Sequence, residues 1–347
     1  MKVRLCMAGV PFLLLSIFSC GYESVMNNVP LKHLNRSVEE FNELYEGKDL
    51  NFVNVDLSGK KIRGAFLKRA DLTGANLTHT HFIKCDLTGA NLSGAVFNKT
   101  IFEKSIVEKT TVTNSKLNNV IFKRSSMKYS DFSGSVLKGC EVENSTFSFS
   151  KLNGIKFFEG HFYKSEAQSC ELQNSEFLGV VINDTNFIRS DLTDSVVEGK
   201  IMEMSHFGGS ILVRADFSNS IFDGRLWSEP SFVEINAVGA KFKNCKFNFV
   251  DMSHANLEDA NFADSYLKLV EISTGNMKNT NFSRSTIVDF NICDARLDRT
   301  NFTDVTFAGF FIASEAKFID TVFLRAKNNI SEIKLRDTIY EESNLPF

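Results

Sequence analysis

From Ala70 the chain reads ADLTG-ANLTH-THFIK-CDLTG-ANLSG-AVFNK, a run of five-residue units. Each opens on a small residue and carries a large apolar one, usually Leu or Phe, two places later. A period of five suits neither regular element, because five residues turn a helix by about 500° and reverse the face of a flat strand. For every third residue to face one core, the chain has to bend once per unit. The register continues without insertion from Phe52 to Ile312, which is 53 consecutive units. The central positions hold almost only Leu, Phe, Ile, Val and Met, with Ala167, Ala237 and Trp227 as departures. Two residues earlier stand mostly Ala, Ser, Thr, Cys, Gly or Val, as at Ala75, Ser145, Cys170 and Ala260. A small residue beside each large one fits a narrow shared interior, as in solenoids whose repeats pack only on their neighbours.

Units such as Ala70-Asp71-Leu72, Ala75-Asn76-Leu77 and Ala255-Asn256-Leu257 match A-[D/N]-L-x-x, and on them the chain resembles the pentapeptide-repeat family. The resemblance spans about three quarters of the chain and implies an all-β fold, a right-handed quadrilateral β-helix with four units per turn. With ~4.8 Å between stacked strands, about 13 coils would make a rod on the order of 60 Å long. Folding the sequence on a 20-residue turn collects Phe82, Phe102, Phe122, Phe162, Phe222, Phe242, Phe262, Phe282 and Phe302 on one side. Leu72, Leu92, Leu152, Leu172, Leu192 and Leu212 gather on another. This zoning accounts for 34 Phe against one Trp and six Tyr.

The open ends of such a coil need covering. Ser37 and Glu40 form a capping-box pattern, and Val38, Phe41 and Tyr45 repeat at helical spacing, so residues 38–46 are predicted as a short N-terminal capping helix. After Ile312 the phase slips by one residue to Phe318 and Phe323 and then dissolves. The expected organisation is a signal peptide over 1–19, a linker and capping helix over 20–49, the β-helix over 50–326, and a C-terminal cap or tail over 327–347. Within the rod, Arg225-Leu226-Trp227-Ser228-Glu229-Pro230 puts Arg and Pro at small inward positions, so a bulge that keeps the register is expected.

At the N-terminus, Lys2 and Arg4 precede an apolar run from Leu5 to Phe18 that contains Pro11 and ends in Ile17-Phe18-Ser19-Cys20. The run falls short of the ~20 residues of a membrane span and reads as a secretory signal. Its last four residues resemble a bacterial lipobox, with Phe18 bulkier than usual, which would make Cys20 the site of lipid attachment. A plain cleaved signal, an uncleaved anchor and a cytoplasmic start are the other readings. Removal of residues 1–19 would take the net charge from −3 to −5. No long run of one sign appears, which speaks against a nucleic-acid groove.

His33, His79, His81, His161, His206 and His254 are scattered, with no metal-ligand spacing and no nucleophile–base–acid set. Cys85, Cys140, Cys170 and Cys245 occupy the small inward position, where a thiol is a compact apolar filler, and no two fall on adjacent turns of one column. No phosphate-binding Gly loop is present, and neither catalysis nor a cofactor is expected. What remains is surface. The residue before each central one faces outward; on the Phe-rich side that column carries Ile101, Ile121, Val181, Ile201 and Ile221, and on the 20-residue count it continues as Asn261, Asn281 and Asn301. An apolar stripe of this kind is either the ordinary β-branched dressing of a strand or an interface for a protein partner or a second copy. The sequence thus points to a lipid-anchored protein of the bacterial cell envelope that presents a binding or scaffolding surface. The resemblance also raises a DNA-mimicking partner of type II topoisomerases such as gyrase, or an exported effector with a β-helix arm. Lys99, Lys104, Lys116, Lys123, Arg124 and Lys128 interrupt the continuous negative face that a mimic requires.

Overall fold

A computed structural model describes residues 30–224 and 231–343 of the chain. It is a parallel β-solenoid of about 14 turns, right-handed and four-sided. Every side is one five-residue unit. Residues 20 apart lie side by side, as in Asn51↔Asp71, Asp71↔Asn91 and Asn91↔Thr111. We number the sides by their central residues in the first coils: Ile62, Leu67, Leu72 and Leu77.

The bend that the period demands sits two residues after each centre, in the left-handed backbone region. Lys84 (φ 53°), Lys104 (φ 53°), Arg124 (φ 52°) and Tyr129 (φ 60°) are examples, although none is Gly. The left-handed region is sterically unfavourable for such residues. The coil offsets that cost by using every corner amide: Lys84 N–H donates to Glu103 O at 2.9 Å, and Ala70 N–H closes the turn onto Leu67 O at 3.1 Å. The small inward position does more than leave room. Ser125 Oγ donates to Phe102 O at 3.0 Å and accepts the Ser105 N–H at 3.1 Å, and Ser145 Oγ accepts the Ser125 N–H at 3.0 Å. Buried hydroxyls therefore form ladders, and among the described residues no buried side-chain hydroxyl lacks a partner, as a dry interior requires.

The register departs from the 20-residue count by a whole unit once. Asp191 pairs with Ile211, but Ile211 pairs with Asn236, Asp216 with Lys241 and Ile221 with Lys246. One coil is 25 residues long, and the surplus falls between Gly224 and Ser231. The anticipated bulge at 225–230, with Trp227, lies outside the described residues. Its effect does not: everything after it is displaced by one side. The single Phe column of the sequence count is therefore corrected to several. Phe82, Phe102 and Phe122 stack at 5.1 and 5.3 Å on the first side, where Phe222 then meets Phe247 at 4.8 Å. Phe242, Phe262, Phe282 and Phe302 instead follow Phe217 on the fourth side, at spacings of 5.5, 4.8, 5.0 and 5.2 Å.

A second correction concerns Ile312. The one-residue slip occurs before it: Val288 pairs with Ala308 but Phe290 with Phe311, and Asp289 Oδ1 accepts the Phe310 N–H at 3.0 Å. Phe311 and Ala313 point inward, and Ile312 is turned outward and half-buried.

At the N-terminal end, a helical segment over 30–36 leads into the helix Val38–Tyr45. Ser37 is its N-cap, accepting the Glu40 N–H at 3.2 Å, and its own hydroxyl donates to Glu39. Phe41 is fully buried with its ring centre 6.4 Å from that of Phe52. Asn42 completes the seal, donating to Gly64 O at 2.9 Å and accepting the Phe66 N–H at 2.8 Å, two groups at the edge of the first coil. At the other end pairing runs past residue 326. The strand Lys327–Lys334 pairs with Thr306–Ile312, and Ile339–Glu341 with Lys317–Ile319. Both end strands are exposed, so this end continues as a further coil.

One substitution and two deletions probe the stacking. Phe102→Ala, in the middle of a fully buried ring stack, should cost about 3–5 kcal/mol by denaturant unfolding. Deletion of 225–229 should leave a cooperative, near-wild-type melt, whereas deletion of 145–149 should abolish it by leaving a coil of three sides that cannot pair with the four-sided coils before and after it.

Candidate binding surfaces on the rod

The outward column of the first side runs Lys61, His81, Ile101, Ile121, Glu141, His161, Val181 and Ile201 in register. Ile221 follows on the next coil, since Met202 pairs with Phe222. The fold therefore brings the five stripe residues to one side in two groups, Ile101 with Ile121 and Val181 with Ile201 and Ile221, parted by Glu141 and His161. Ile101, Ile121, Val181 and Ile221 are half-buried; the Ile201 side chain is not among those described. Beyond Ile221 the long coil changes the continuation. The column proceeds through Lys246, Tyr266 and Thr286, not Asn261, Asn281 and Asn301. Those asparagines form a ladder on the fourth side, Asn281 Nδ2 donating to Asn261 Oδ1 at 3.3 Å and Asn301 Nδ2 to Asn281 Oδ1 at 3.2 Å.

The corners carry two features that the sequence reading missed. Arg214 reaches Asp194, Arg284 reaches Asp264 and Arg325 reaches Asp304, each with Nε–Oδ1 at 2.6 Å, between neighbouring coils. Hydrogen bonds from these guanidinium groups hold the three carboxyls below the usual carboxylate range. The 20- and 21-residue spacings of opposite charges were the available signal. The second is an aromatic pair, Tyr129 over Phe149, with centroids 5.2 Å apart and planes within 10°, both rings exposed.

No group of His, Cys, Asp and Glu among the described residues could hold a metal ion. His81 Nε2 lies 3.0 Å from Glu103, and His254 is hydrogen-bonded to Thr274 at 2.6 Å, an arrangement of surface pairs. Depressions lie between ladders and are open to solvent; one is lined by Asn219, Ile221, Asn244, Lys246, Asp264 and Tyr266. Among the described residues no helix is long and apolar enough to cross a membrane. Cys20 lies outside them.

A four-sided coil with a small residue, a large residue and a left-handed corner in every unit defines the class of quadrilateral β-solenoids. The chain belongs to the pentapeptide-repeat family: the model of the pentapeptide repeat region matches residues 75–157, and that of pentapeptide repeats (8 copies) matches 51–89 and 232–270. Solved structures similar to it include HetL, a pentapeptide repeat protein involved in heterocyst differentiation regulation from the cyanobacterium Nostoc sp. strain PCC 7120. That match has 14% identity and a TM-score of 0.29, over 65% of this chain and 88% of that one. QnrB1, a plasmid-mediated fluoroquinolone resistance protein, matches at 15% identity and a TM-score of 0.27, over 75% and 93%. A pentapeptide repeat protein of the Arabidopsis thaliana thylakoid lumen matches at 27% identity and a TM-score of 0.13, over 29% and 63%. No curated protein matches the sequence.

The inward cysteines give a chemical check on the interior. Burial pushes the Cys140, Cys170 and Cys245 thiols up to about 12, so these three stay protonated between pH 6 and 9, and it raises Cys85 as well. Thiolate is the reactive form. Alkylation by iodoacetamide at pH 8, mapped by mass spectrometry, should therefore spare these four in the native protein and modify them in guanidinium, while half-exposed Cys293 reacts in both.

Proposed function

We propose that this pentapeptide-repeat protein is a lipid-anchored component of the bacterial cell envelope whose rod serves as a binding or scaffolding surface for another macromolecule. The observation that carries the reading is the distribution of variety. The interior repeats one solution coil after coil, and individuality is confined to outward columns: the apolar groups of the first side, the Arg–Asp corners and the exposed Tyr129–Phe149 pair. A protein partner, or a second copy of the chain, is the class of ligand that extended convex columns suit, and no step of chemistry is assigned to the rod. Attachment through Cys20 is supported by the lipobox-like Ile17-Phe18-Ser19-Cys20 behind an apolar run. The helical cap sits at that same end, so a tether there would itself cover none of the outward columns.

The reading as a DNA mimic is disfavoured by the first side, where Lys60, Lys61, Arg63, Lys84, Lys104 and Arg124 are all exposed. A mimic needs a continuous anionic face.

Radiolabelled palmitate should enter the wild-type protein and not Cys20→Ser, and only the wild type should fractionate with membranes. An unlabelled, cytoplasmic wild-type product would remove the anchor from this reading. Ile121→Asp and Val181→Asp should each lower cross-linking to a partner or to a second copy at least tenfold without changing the melting temperature by more than a few degrees.

A further inference from the structure

At every corner of the rod the same position recurs one coil later, about 4.8 Å away, so like charges there oppose each other. On two stretches the molecule alternates sign: Asp194 with Arg214 at one corner, and Asp264, Arg284, Asp304 and Arg325 in succession at another. At the corner that closes the first side it does not. Gly64 is followed by Lys84, Lys104 and Arg124 on three consecutive coils, all left-handed and exposed. None of these cations forms an ion pair among the described residues. Glu143, on the next coil, is bonded by Lys123 at 2.9 Å and is the one carboxylate that also feels Arg124, which leaves Lys84 and Lys104 without a counter-charge beside them.

The rest of this side reinforces the imbalance. Over its first four coils, residues 60–64, 80–84, 100–104 and 120–124, seven Lys and Arg face one carboxylate, Glu103, which His81 approaches to 3.0 Å. Over the next five coils the balance turns acidic: Glu141, Glu143, Asp184, Glu203 and Asp223 against Lys164 and Lys200. Between the cations of the basic half lie Ile101 and Ile121, side by side and half-buried.

We propose that the first side, over its first four coils, docks flat on an anionic phospholipid surface. Three stacked cations with one shared carboxylate at the end of their column draw the remaining counter-charge from outside. A planar array of phosphate headgroups can reach all three coils at once, which a small anion cannot. Ile101 and Ile121 stand in the same plane, where apolar groups enter the headgroup layer. The basic coils are also those nearest the segment that leads back to Cys20, while the acidic half of the side would be repelled and hold the far end of the rod away. The choice of a lipid surface over another polyanion rests on the proposed envelope location; the test does not.

The full chain is co-sedimented with vesicles of phosphatidylcholine alone and with about 30% phosphatidylglycerol, at low and high salt, beside K84E/K104E/R124E. The apolar residues 5–18 and any acyl chain act equally on both vesicle types, so the ratio of the two partition coefficients isolates the charged side. Each cation near an anionic leaflet contributes about fivefold. The wild type should favour the anionic vesicles by at least tenfold at low salt, and high salt or the triple reversal should remove that preference. Glu159, Glu234 and Glu315 already occupy left-handed corners, so the reversal is compatible with the fold. Should its melt nevertheless be altered, K84Q/K104Q/R124Q decides by the same ratio. Equal partition of the wild type, a preference that survives the substitutions, or preferential capture of duplex DNA in competition with anionic vesicles would overturn the proposal. Loss of palmitate labelling with the preference intact would defeat the anchor and leave this face standing.

Discussion

The structure depends on one constraint: each coil can satisfy its backbone polar groups only through the coil before and the coil after. Leu72 N–H donates to Asn91 O at 2.8 Å, and the Asn91 N–H returns to Ala70 O at 2.9 Å. Unpaired amides and carbonyls in a buried wall are too costly to leave. The chain must therefore come back into register above itself after every turn, and a left-handed residue at each corner is what closes the turn in four short sides. The energetic cost of those corners recurs throughout the rod and is offset by bonds that recur with it. Where the stacking ends, a substitute has to appear, and Asn42 supplies it by taking one edge amide and one edge carbonyl with a single side-chain amide.

The same constraint shapes the interior. A column of identical positions one coil apart favours groups that stack on themselves, and both Phe rings and Ser hydroxyls do. Rings 5.1 and 5.3 Å apart with planes within 9° gain offset contact along the axis. Hydroxyls such as those of Ser125 and Ser145 accept an N–H from the coil before and donate to a carbonyl of that same coil. Because every coil touches only its neighbours, a lengthened coil is tolerated: the 25-residue turn rotates all later coils by one side without disturbing either half of the rod.

Outside, stacking turns into an electrostatic rule. Opposite charges at successive corners attract across the coil spacing, as Arg284 and Asp264 do, and exposed pairs of this kind contribute little singly while keeping the surface balanced. A corner where Lys84, Lys104 and Arg124 succeed one another stands against that rule. The fold's monotony is what makes the exception legible, since the equivalent position elsewhere provides the control. Function in such a rod belongs to columns, and the first side gathers both an unbalanced basic column and the larger share of outward β-branched residues.

Much of this was open to reading in the sequence. The period of five, the large and small inward positions and the helix capped by Ser37 are local patterns, and a solenoid is built from local patterns repeated. Phe52, Leu57, Ile62 and Leu67 could be assigned to four walls because nothing between them interrupts the count. The number of units in each turn is a different kind of quantity. Closure is decided by which earlier coil a strand lies upon, and the unit around Trp227 keeps the period of five while adding a fifth unit to its turn. Past that point Phe242 stacks on Phe217 and Asn261 leaves the column of Ile221, although every residue keeps its inward or outward sense. Likewise Ile312 obeys the count and still faces out, because Asp289 captures the Phe310 amide and the bulge shifts the phase. Up to that slip the sequence determined which residues face the core; only the stacked structure decided which residues stand above one another, since pairing between coils is set by backbone hydrogen bonds that the period of five leaves free to slip by a whole side.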